Sequence, residues 1–139
     1  MGYSEPPMAP TQPQPPSPLL RRGLQVFAAL YFISAGLQYN DPDPLSWVLI
    51  YCAAGGAMLL HPGSRWSRLA CSLVAGVALC WALVLLPEAR GVGLAEMTES
   101  MQAHGGRVEI AREAGGLFLV VAGMVAGLFV DLRARSGRT

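Results

Sequence analysis

The sequence predicts an all-α membrane protein, a four-transmembrane-helix bundle with both termini cytoplasmic (N-in/C-in) and a short amphipathic helix in the outer loop between spans three and four. Three observations predict it. Hydrophobic residues make up 53% of the 139 and charged residues 14%, where soluble domains carry about 25% charged. The apolar residues gather in four long stretches, each near the ~17–25 residues that a bilayer crossing requires. The 10 basic residues, all arginine, are distributed unevenly about those stretches.

Residues 1–20 read as a disordered, proline-rich cytoplasmic tail. Met1 to Pro18 holds seven of the chain's 11 prolines and too little apolar surface to offset its ordering entropy. The first span is expected at about 23–39. Arg21 and Arg22 precede it, but no small-x-small cleavage site follows, so it reads as a retained helix. The second span is expected at about 44–60, the third at 66–86 and the fourth at 115–130. In lipid the backbone must satisfy its own hydrogen bonds, so each is a helix. In the last loop Leu94, Met97 and Met101 form a short apolar stripe suited to the membrane surface. Gly105 and Gly106 end it, and helical spacing resumes at Arg107, so the fourth helix starts ahead of its span.

Orientation follows from the arginines. Arg21, Arg22, Arg65, Arg68, Arg133, Arg135 and Arg138 fall on one side, with Glu5 and Asp131 the acids there. Arg90, Arg107 and Arg112 fall on the other, among Asp41, Asp43, Glu88, Glu96, Glu99, Glu109 and Glu113. The even number of spans is consistent with both termini being cytoplasmic, in what reads as a bacterial inner membrane.

No basic face with interleaved aromatics suggests nucleic acid, and none is expected as a partner. Cys52, Cys71 and Cys80 lie in apolar stretches without CxxC or metal-ligand spacing and read as packing residues. His61 and His104 fall at opposite ends of the bundle, which disfavours a shared haem. A transporter or channel is disfavoured as well, because ion-coupled pathways need ionisable residues inside the spans.

The polar residues converge elsewhere. Gln38-Tyr39-Asn40-Asp41-Pro42-Asp43-Pro44 is too short a link for anything but antiparallel neighbours. Pro44 suits the first helical position and Asp43 the N-cap. Trp47 and Tyr51 follow Asp43 at four-residue steps on one face, and Tyr31, Ser34 and Gln38 form a line on the first helix. In the fourth helix Glu109, Arg112, Glu113, Gly116, Val120, Gly123 and Gly127 fall within one 100° stripe. Its membrane part is small residues, with Gly116, Gly123 and Gly127 as helix-packing positions. Its charged end is expected to meet the Asn40–Asp43 turn. Arg112 suits bidentate carboxylate pairing. The excess of carboxylates at Asp41, Asp43, Glu109 and Glu113 either locks helix ends through capping and ion pairs or holds a divalent cation. No other cofactor is expected.

The run Gln38 to Trp47, with Tyr51 beyond it, resembles the signature of the transmembrane protein 220 family. Glu109 and the segment Ala111-Arg112-Glu113-Ala114-Gly115-Gly116-Leu117 resemble that family's Gly-Arg-Glu-x-x-Gly-Leu segment, with Ala111 where the family often has glycine. The resemblance covers roughly Arg22 to Asp131. It implies a small multi-spanning membrane protein and weight for the polar cluster, and it adds no reaction.

Two functional readings follow. One is a non-enzymatic accessory, scaffold or assembly subunit that packs against a larger membrane complex or forms a homo-oligomer. The other is an outward-facing site for a divalent cation or small polar ligand, or a membrane enzyme, built on Gln38, Asn40, Asp41, Asp43, Trp47, Tyr51, Glu109, Arg112 and Glu113. Carboxylate pairs can serve as acid and base, but no serine or cysteine nucleophile stands beside a base.

Overall fold

The computed structural model describes residues 17–40, 43–60, 62, 64–99 and 106–136. Five helices lie in this order: α1 (Pro18–Leu37), α2 (Pro44–Leu59), α3 (Arg65–Ala89), α4 (Leu94–Glu99) and α5 (Arg107–Ser136), with a 3-10 turn at Gln38–Asn40 closing α1. The expected tail of residues 1–20 lies largely outside the described residues; its last three are already helical.

Local chemistry sets the boundaries. Ser17 caps α1, its Oγ accepting from the Leu20 N–H at 3.4 Å, and Pro18 occupies the first turn, where its missing N–H costs nothing. Ser64 caps α3 in the same way, accepting from the Ser67 N–H at 3.0 Å. Pro44 opens α2, but Asp43 makes no side-chain cap hydrogen bond and takes part in another interaction instead. α3 continues past the expected end at Leu86 and carries Pro87 inside its last turn, at the cost of one backbone hydrogen bond. Gly91 at φ 82 and Gly106 at φ 107 turn the chain out of α3 and into α5; both angles favour glycine.

α5 has 30 residues, about 45 Å of helix, and begins well ahead of residue 115. The six-residue α4 folds onto it, with Met97 Cε 3.7 Å from where a Cβ on Gly115 would lie. Met101 of the expected loop stripe lies outside the described residues.

α3 pairs along its length with α5, and α1 with α2; the α2–α3 contact is thinner. The Arg107 guanidinium donates to the Arg90 carbonyl, so α5 starts beside the end of α3. Cys71, near the start of α3, packs against Gly127 far along α5. The two helices are therefore antiparallel. Tyr51 and then Met58 of α2 meet Gly116 and then Gly127 of α5, so α2 and α5 run in the same direction. The four long helices alternate up and down.

The interior combines alanines and aromatic rings with a few large aliphatic side chains: Ala28, Tyr31, Trp47, Ile50, Ala54, Ala57, Met58, Ala78, Ala82, Leu117, Val120 and Met124 are all buried. Phe27, Leu30, Ile33, Leu49, Leu73, Val77, Leu83, Leu119 and Val125 point outward and are exposed. A core rich in alanine, with many large apolar side chains turned outward, suits a lipid solvent. α3 and residues Arg107–Arg133 of α5 are long and apolar enough to cross a membrane; α2 is apolar but shorter, and α1 does not meet the same measure.

Candidate functional site

One face of α5 organises the bundle. A Cβ on Gly116 would lie 2.9 Å from the Tyr51 hydroxyl of α2. At Gly123 it would collide with the Tyr31 hydroxyl of α1, which donates to the Leu119 carbonyl of α5 at 3.2 Å. At Gly127 it would meet Cys71 Sγ of α3 at 3.3 Å and Met58 Sδ of α2 at 3.5 Å. Each glycine is thus the seat of a side chain from another helix. Only a residue without a side chain leaves Tyr31 room to reach the α5 backbone.

This register fixes levels at the end carrying the N-termini of α2 and α5. Since Tyr51 is level with Gly116 and the helices run together, Trp47 lies one turn nearer that end on α2 and Arg112 one turn nearer it on α5. The rings form a continuous stack through three helices. Centroids are 6.4 Å apart for Tyr31–Tyr51, 6.1 Å for Tyr51–Trp47 and 4.7 Å for Trp47–Trp81, with interplanar angles of 25°, 30° and 27°. Trp47 is buried, and its indole N–H has no hydrogen-bond partner among the described residues.

The residues singled out by sequence are distributed as follows. Trp47 is buried; Tyr51, Glu109, Arg112 and Glu113 are half-buried; Asp43 is exposed. Gln38 and Asn40 lie in the 3-10 turn, Gln38 half-buried. Asp41 lies outside the described residues. Asp43, Tyr51, Glu109, Arg112 and Glu113 each take part in a contact. Among the described residues no three of His, Cys, Asp and Glu gather as a metal-binding group.

A second polar group lies at the opposite end, where the sequence reading placed nothing. Asp131 is 1% exposed. It lies one turn beyond Gly127 on the glycine face, on the side of α5 against which Cys71 of α3 packs. Arg68 and Ser67, one turn before Cys71 on antiparallel α3, fall level with Asp131. Trp81, the last ring of the stack, was also not foreseen. The signal for Asp131 was present: it continues the four-residue step from Gly123 and Gly127.

An up-and-down helical bundle with an apolar exterior and its polar groups seated against glycine inside is an integral membrane protein. The family described as "Transmembrane family 220, helix" matches residues 30–129, more than two thirds of the chain, and the chain belongs to that family. No curated protein and no solved structure matches it.

Proposed function

We propose that this protein is a non-enzymatic accessory or assembly subunit that docks a transmembrane helix of a larger membrane protein. The observation that carries this reading is the outer face of α3. There Ser72, Gly76 and Cys80, at four-residue steps, floor an open groove of about 690 Å³ walled by Leu73, Val77, Trp81 and Val84. Small residues at this spacing let a second helix backbone approach closely. The opposite face of α3 is occupied by α5, so the groove is the part of a membrane-spanning helix left for a partner. All four long helices span the bilayer in this reading, with both termini in the cytoplasm of a bacterial cell, following the arginine bias.

The test is cysteine crosslinking from Cys80 in native membranes. One heavier product of fixed mass, lost in Cys80→Ser and in Gly76→Ile, is the expected result. A product of twice the chain's own mass means a homo-oligomer, and no product at all refutes docking at this face.

A second reading attaches to the α2/α5 N-terminal end. There the Tyr51 hydroxyl sits against Gly116, one turn from Arg112 and Glu113, and the Trp47 indole N–H one turn away on α2 has no hydrogen-bond partner among the described residues. This reading makes the end an outward-facing site for a small polar ligand or divalent cation, with Asp41 and Asp43 from the adjoining turn. Calcium and manganese titrations of the protein and of Asp41→Asn distinguish it: binding abolished with the fold intact supports a site, and no binding in either sinks it.

A further inference from the structure

We infer that the groove between α1 and α5, at the end of the bundle away from the Asn40–Asp43 turn, seats one acyl chain of an anionic phospholipid, with the headgroup phosphate held among Arg21, Arg22 and Arg133. The inference rests on the reading in which all four long helices cross the bilayer, and not on a partner docking at α3. The groove has a volume of about 290 Å³ and apolar walls, formed by α1 from Leu19 to Phe27, by Ala126 and Val130 of α5, and by Met58 of α2. Gly23 adds no side chain to the α1 wall, and a Cβ there would meet nothing within 4 Å. From Leu19 to Phe27 α1 rises about 12 Å, which makes the groove a slot of roughly 24 Å² in section. That width admits a hydrocarbon chain, whereas a helix about 10 Å across needs several times as much.

Charge selects the headgroup. Arg21 and Arg22 stand in the first turns of α1, beside the Leu19–Leu20 end of the groove, and both are exposed. Arg133 follows Ala126 by seven residues, which puts it on the same side of α5 as that groove wall. It is exposed, and its guanidinium lies 4.5 Å from the centre of the Phe129 ring. Among the described residues the acid at this end is Asp131, which is 1% exposed and lies on the α5 face that α3 covers. The mouth of the groove is therefore positive and its interior apolar, the two halves of an anionic lipid in the order a bilayer presents them. Arginine stems lie along apolar surface while their forked heads reach water, and that fork matches a phosphate.

The test titrates the delipidated full chain in detergent with phosphatidylglycerol and with phosphatidylcholine of the same acyl chains, and counts bound lipid by native mass spectrometry. One phosphatidylglycerol is expected to bind at least about tenfold more tightly than phosphatidylcholine, each arginine contributing about fivefold. Arg133→Gln, and Arg21→Gln together with Arg22→Gln, reduce that preference and leave phosphatidylcholine binding unchanged. Gly23→Leu fills the slot and excludes two or more methylenes, each about fourfold, so both lipids weaken by more than about tenfold. Gly36→Leu, also with open space at its Cβ but on α1 outside the groove, binds as the parent does. Equal affinity for the two lipids, parent-like binding by Gly23→Leu, or an equal loss in Gly36→Leu overturns the site. Leu30→Cys, in a chain whose 3 native cysteines are alanine, tests the spanning of α1 separately. Labelling there by a water-soluble maleimide in intact membranes refutes the four-span reading and the site with it. Protection there, with no preference between the lipids, refutes the site alone.

Discussion

Gly123→Ala sets two effects of opposite sign against each other, and the structure says which wins. Alanine favours a helix over glycine by about 1 kcal/mol. Its methyl, however, occupies the place of the Tyr31 hydroxyl and comes within 3.1 Å of the ring carbon that bears it. Tyr31 must withdraw, breaking its 3.2 Å bond to the Leu119 carbonyl. That bond contributes about 0.6 kcal/mol on the average for membrane proteins, and overpacking a filled interior costs about 1–3 kcal/mol. The net expectation is a destabilisation of about 1–2 kcal/mol. Tyr31→Phe alone loses the hydrogen bond and little else. In the double variant the hydroxyl is already gone, so alanine meets only a ring edge, and the combined loss falls short of the sum by about 1 kcal/mol. Reversible unfolding in mixed micelles, followed for the four proteins of the cycle, measures this coupling. Additivity within about 0.3–0.5 kcal/mol would mean that the hydroxyl and Gly123 do not share one space, and the packing argument for α5 would fall with it.

Three further outcomes follow. Gly55→Ala drives a methyl into three atoms of the Phe32 ring at 2.9–3.1 Å and is expected to cost about 1–3 kcal/mol. Gly56→Ala, with open space at its Cβ, is neutral or stabilising by up to about 1 kcal/mol, so opposite melting shifts in adjacent variants are the result to look for. Asp131→Ala removes a carboxylate buried among polar neighbours and lowers stability by about 1–3 kcal/mol, whereas a solvent-exposed acid at a helix end changes it by less than about 0.5 kcal/mol. Trp47→Ala empties the centre of the aromatic stack and costs about 3–5 kcal/mol, seen as a lowered unfolding midpoint.

Helix existence was legible because spacing and chain punctuation speak directly. Pro44 marks the start of α2, and the pattern resuming at Arg107 marks the start of α5. The stripe from Glu109 to Gly127 could be drawn from angles alone. Which side chain meets each glycine could not, because the register between helices is set by packing. Nothing in the residues around Tyr31 names Leu119 as the acceptor, and nothing around Trp47 names Trp81 as its neighbour. Asp131 was counted only by its sign, among the charges flanking the spans, although its position on the stripe argued for the interior. α2 is apolar on every side, so its buried face had to be inferred from Trp47 and Tyr51, its two amphipathic rings.

The glycine face of α5 also sets an order of events. Ribosomes release helices from the N-terminus, and α1 and α2 can close their hairpin as soon as both are made. α3 comes next and finds only a thin contact with α2; its main partner has not yet been synthesised. Until α5 arrives, the hydroxyls of Tyr31 and Tyr51 and the thiol of Cys71 have no glycine to settle against. α5 is therefore the keystone of assembly, and a chain cut short before Arg107 is left with the α1–α2 hairpin and an α3 that lacks its main partner.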